Sequence, residues 1–179
     1  MRASALVFGT SAAVLVLEII AGRLMAPYVG VSLETFTGII GTALAGIAAG
    51  AALGGHLADS RDPRHLIGPF VVAGGTFTWV ALPVVDLLGP QLGSGPIAVV
   101  LMTTAAFGVP IVLLSAVAPM VAKIRLESLD ETGTVVGNLS ASGTLGALAG
   151  TFLTGFVAVS LMPSRPIVLA TGAVVVAVG

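Results

Sequence analysis

The sequence predicts an all-α fold, a polytopic membrane bundle of about six transmembrane helices. Three observations carry that expectation. Of the 179 residues, 56% are hydrophobic and 8% charged, against roughly 25% charged in an ordinary soluble domain. Such a chain cannot cover itself with polar surface, so its apolar excess must face lipid. The apolar residues also form long runs separated by short polar breaks, as spanning helices do. Finally, the 24 glycines and 10 prolines would signal disorder only in a chain of low hydrophobicity, and both residues are frequent in membrane helices.

The apolar runs fall at about residues 3 to 26, 36 to 58, 66 to 88, 96 to 122, 135 to 161 and 166 to 179. A span needs roughly 20 residues, so five qualify and the sixth is short. Because that last run is still apolar at Gly179, the chain is expected to be a fragment forming one transmembrane domain. Arg2 before the first run resembles the start of a signal peptide, but Glu18 and Arg23 interrupt it and further spans follow, so it is read as a helix.

Orientation follows from Lys and Arg, which are retained on the cytoplasmic side during insertion. Arg2, Arg61, Arg64, Lys123 and Arg125 fall at one set of ends, and only Arg165 lies in an opposite turn. The expectation is a plasma-membrane protein with both termini in the cytoplasm. Net charge is -1, and no aromatics interleave with basic residues, which argues against nucleic acid as a partner. With no cysteine, disulfides and thiolate chemistry are excluded. His56 and His65 have no ligand spacing, so neither a metal nor a cofactor is expected.

Small residues decide how membrane helices pack, because close backbone approach supplies the contact that the hydrophobic effect does not. In the second helix Gly38, Thr42, Gly46, Gly50 and Gly54 recur every four residues and form one ridge. Ser142, Gly146, Gly150 and Thr154 repeat the device in the fifth. Tight packing accounts for both ridges; a moving interface is the alternative. Ala26-Pro27, read as the end of the first helix, and Ala118-Pro119 lie 92 positions apart, an offset that also sets Gly54 on Gly146. Two three-helix repeats would produce this, as in some transporters.

A charge at membrane depth costs roughly 2.5 to 3.5 kcal/mol on insertion scales, so each one requires a reason. Glu18 and Arg23 are separated by about 7.5 Å along a helix and about 140° around it, and so do not pair with each other. Glu18 suits a cationic substrate or a proton; the alternative is a hydrogen bond that ties neighbouring helices. Arg23, nearer the end, can extend its stem to water. Glu34 opposes the helix dipole at the start of the second helix. Asp86, Glu127, Asp130 and Glu131 read as surface charge, Trp79 and Tyr28 as packing or interfacial residues.

The stretch Gly54-Gly55-His56-Leu57-Ala58-Asp59-Ser60-Arg61 resembles the loop signature of major facilitator transporters. The resemblance implies that Gly55 admits a neighbouring helix, while Asp59 and Arg61 make charged contacts that hold one conformational state. A polar loop at a helix end fits the same residues.

Glu18-Ile-Ile-Ala-Gly-Arg-Leu-Met-Ala-Pro-Tyr28-Val-Gly30, the first glycine ridge and Gly146-Ala-Leu-Ala-Gly150-Thr-Phe-Leu-Thr154-Gly155-Phe together look like the membrane part of bacterial fused major-facilitator/spermidine synthase-like proteins. That resemblance implies a six-helix half of a transporter carrying a cytoplasmic aminopropyltransferase domain, which moves an aminopropyl group from decarboxylated S-adenosylmethionine to a polyamine. This sequence departs from it in having no strand followed by a glycine-rich turn and a downstream acidic residue, so no catalytic residue is assigned. The expected partners are the lipid bilayer, such an enzyme domain and a second copy of the chain. Three readings remain: a membrane anchor that binds or passes polyamine-like cations at Glu18 and Arg23, a half-transporter acting as a homodimer, and a structural scaffold.

Overall fold

The computed structural model describes residues 3–126 and 132–179. Arg2, Glu127, Asp130 and Glu131 lie outside these residues. The helices are α1 (Ala3–Val29), α2 (Leu33–Ser60), α3 (Ile67–Leu92), α4 (Pro96–Arg125), α5 (Thr132–Leu161) and α6 (Ser164–Val178). The first five are long and apolar enough to cross a membrane, and α6 is a shorter apolar helix. No strand occurs among the described residues.

Local chemistry sets the helix ends. The α1 helix runs through Ala26-Pro27 instead of ending there. A proline in the last turn removes a single backbone bond, and the stop comes at Gly30, whose φ of +76° takes the chain out of the helix. The Ser32 hydroxyl caps α2 by accepting the Thr35 N–H at 3.1 Å, so Glu34 stands in the first turn and not at the cap. The short α2–α3 link is turned by Asp62, which accepts the Arg64 N–H at 2.9 Å.

Two wide π-type turns interrupt the regular helix, at Thr104–Gly108 in α4 and Leu153–Ala158 in α5. The first lies just before Pro110, whose ring would strike the carbonyl of Ala106 in an unbroken α-helix. Pro119 similarly follows a break at Ala116. The buried hydroxyls of Thr10, Thr78 and Thr103 bond to carbonyls one turn back, at 3.1, 2.9 and 2.7 Å. No buried side-chain nitrogen or oxygen is left unsatisfied among the described residues, as a lipid surround requires.

The helices pair across the two halves of the chain: α1 packs on α5, α2 on α4 and α3 on α6. Each half therefore completes the other, as two interlocked three-helix units do. Coverage follows the same period: within an apolar 18-residue stretch of each helix, 39% of α1 and 50% of α4 is buried, but 17% of both α2 and α5. Both glycine ridges lie in these seams. A Cβ on Gly50 or Gly54 would strike the carbonyl oxygen of Val112 or Ala116, and one on Gly146 or Gly150 that of Phe8 or Ala12. Residue numbers rise together along both seams, so each pair of helices runs parallel. The α3–α6 seam uses Gly75 and Gly172, where a Cβ on either would come within 2.9 Å of the other's carbonyl oxygen. Beside it, the Trp79 indole donates to the Leu169 carbonyl at 3.0 Å.

Candidate functional site

Glu18 stands near the middle of α1, about 22 Å along the axis from Ala3 and about 16 Å from Val29. It is half-buried and makes no hydrogen bond or ion pair among the described residues. The interhelical bond that would make it a structural tie is not formed. Ser11, Val14 and Leu15, which share its face of the helix, line a cavity of about 290 Å³ bounded also by Ile47 of α2, Ser115 of α4 and Thr144 of α5. One turn the other way, Gly22 sits against Phe36 and Ile39 of α2. Glu18 thus lies one turn beyond a cavity at the junction of α1, α2, α4 and α5.

Arg23 is not brought to this site. It is exposed, and its Nη1 donates to the Val159 carbonyl of α5 at 3.4 Å. It shares a separate cavity of about 160 Å³ with Tyr28 of α1, Asp86 of α3 and Arg165 of α6. Asp86 and Arg165 form an ion pair there, which joins α3 to α6. The sequence hid this pairing, because the two residues are 79 positions apart, Asp86 reading as surface charge and Arg165 as a positive charge in a turn.

At the other end of the bundle the loop motif divides. Asp59 accepts a hydrogen bond from the Lys123 ammonium at 2.7 Å, joining α2 to α4. Arg61 ends α2 and has no ion-pair partner among the described residues. A Cβ on Gly55 would meet nothing within 4 Å, whereas Gly54 receives the α4 backbone. Close approach therefore belongs to Gly54, which is in phase with Gly46 and Gly50; Gly55 is turned about 100° away. His65 lies 3.6 Å from Asp62 on the exposed link, and no group of three metal-ligating side chains forms among the described residues.

A further cavity, about 690 Å³, lies along the seam between the Leu33 end of α2 and the Pro96 end of α4, beside the wide turn of α4. Gly38, Gly41, Thr42, Val100 and Thr104 line it, and Glu34 is its single ionisable group. Its volume could hold a ligand, but the unpaired mid-depth carboxylate lies elsewhere.

Helices of this length and composition, interlocked across two halves, define a multi-pass helical membrane protein whose surroundings are a lipid bilayer. No protein-family model, curated protein or solved structure matches the chain.

Proposed function

We propose that the chain is the membrane domain of a spermidine synthase-like protein and that its bundle binds polyamine-like cations at Glu18. One observation carries the binding role: a half-buried carboxylate at mid-depth has no partner among the described residues, beside a cavity shared by four helices. An ionised carboxylate in that position calls for a cation, and a protonated amine supplies both the charge and the hydrogen bonds. The Glu18 to Gly30 stretch and the cross-half pairing of helices support the family reading. The bundle would anchor a cytoplasmic aminopropyltransferase domain, with both chain termini in the cytoplasm of the plasma membrane.

The test is equilibrium binding of labelled spermidine to the chain in nanodiscs. Wild type should saturate, Glu18→Asp should weaken binding and Glu18→Gln should abolish it. Equal binding by wild type and Glu18→Gln would remove Glu18 from the reading.

A second reading, a half-transporter completed by another copy, is favoured by one feature. The equivalent helices α2 and α5 are the least covered spans, with 17% of an apolar 18-residue stretch of each buried. The protein mass in detergent, corrected for bound detergent, distinguishes a dimer from a monomer.

A further inference from the structure

The cavity at the α3–α6 end of the bundle contains more positive charge than its carboxylate balances. Arg23, Arg165 and Asp86 line it together with the Tyr28 phenol, giving two guanidiniums against one carboxylate. Asp86 is already engaged by Arg165. Arg23 has five N–H donors, and its hydrogen bond among the described residues is the long one, 3.4 Å, to the Val159 carbonyl. Tyr28 makes no hydrogen bond among the described residues; its ring packs on Gly89 of α3, which holds the phenol beside the cavity.

The rest of the wall is apolar. Leu24, Pro27, Leu82 and Val85 complete the lining, so a cationic rim continues into a hydrocarbon surface. Arg23 lies about 9 Å along the axis from Val29, close enough to the helix end for its head to reach the lipid headgroup layer. The volume of about 160 Å³ equals roughly five waters at liquid density, room for a tetrahedral oxyanion and little more.

We infer that this cavity is a phosphate-binding site at the membrane surface, occupied by the headgroup phosphate of an anionic phospholipid held between Arg23 and Arg165. The shared chemistry is a phosphate oxyanion accepting from guanidinium N–H groups and the Tyr28 hydroxyl. The apolar wall favours lipid over free phosphate, because it gives the glycerol and upper acyl chain a surface to lie on. This inference does not depend on a cation at Glu18.

Trp79, the single tryptophan, stands one turn before Leu82 and is part-exposed, so it reports on acyl chains that occupy this groove. The probe is quenching of Trp79 fluorescence by phosphatidylglycerol with brominated chains, compared with brominated phosphatidylcholine at equal mole fraction in nanodiscs. One net positive charge at a lipid surface should give an about fivefold preference for the anionic lipid. Arg23→Gln should bring the preference to about one, whereas Arg23→Lys should retain most of it, since the charge stays and the fork is lost. If inorganic phosphate in the buffer removes the wild-type preference, the oxyanion site stands and its source is free phosphate. Equal quenching by the two lipids in wild type, or a preference unchanged in Arg23→Gln, overturns the inference.

Discussion

The carboxylate of Asp59 at the end of α2 lies 2.7 Å from the ammonium of Lys123 at the end of α4. Both side chains are exposed, at 72% and 53%, so water and salt screen the pair and its contribution to stability is small. Its value is positional: it closes one end of the seam in which Gly50 and Gly54 meet α4. The chain contains no cysteine, so Asp59→Cys with Lys123→Cys should cross-link rapidly with a short bis-maleimide. Either single variant should not. A double variant that stays uncross-linked would mean the two ends separate in the membrane.

Neighbouring glycines give a test of the packing. Gly54→Ala drives a methyl into the Ala116 carbonyl, a backbone atom that cannot move aside, and should destabilise the bundle by about 1–3 kcal/mol. Gly55→Ala places the same methyl in open space and should be neutral or slightly stabilising, because alanine is the better helix former. Unfolding in mixed detergent and dodecyl sulfate micelles compares the two directly.

Glu18 separates binding from structure. It has no partner among the described residues, so Glu18→Gln breaks no contact and removes a charge from mid-depth. The variant should be as stable as wild type or more so, with an upper limit of about 3.5 kcal/mol set by the insertion cost of the charge. The same micelle unfolding assay reads this. A clear loss of stability would return Glu18 to the role of a structural tie.

Orientation is open to labelling from either side. Cysteines introduced at Arg61 and Arg125 should react with a membrane-impermeant maleimide only in inverted vesicles, and one introduced at Gly93 only in intact cells. The reverse pattern would turn the bundle over and carry the Asp59–Lys123 pair to the outside.

Much of the architecture is legible in the sequence, because hydropathy alone decides which segments a bilayer accepts. The six apolar runs correspond to the six helices, with ends differing by a few residues where capping, not hydropathy, sets the stop. Gly30 and Ser32 are examples. Ridge phase was equally legible: the four-residue spacing that ends on Gly54 puts that residue, and not Gly55, in the seam. The wide turn before Pro110 was hidden, since proline announces a disturbance without stating its form. Charge partners were hidden too. Asp59 and Lys123 are 64 positions apart, and only the pairing of α2 with α4 brings them together.

The interlocked arrangement also constrains how the protein is made. Because α1 packs on α5, it cannot meet the whole of that neighbour until Leu161 has been synthesised, 132 residues after Val29. At about 5–20 residues per second, that is a wait of roughly 7–26 s. Throughout it, the face of α1 around Phe8 and Ala12 is without α5, in the translocon or in lipid. Assembly is therefore late and collective. A chain released before α5 is complete would present the insertion machinery with the bare backbone face at Phe8 and Ala12, a mark by which membrane quality control could recognise it.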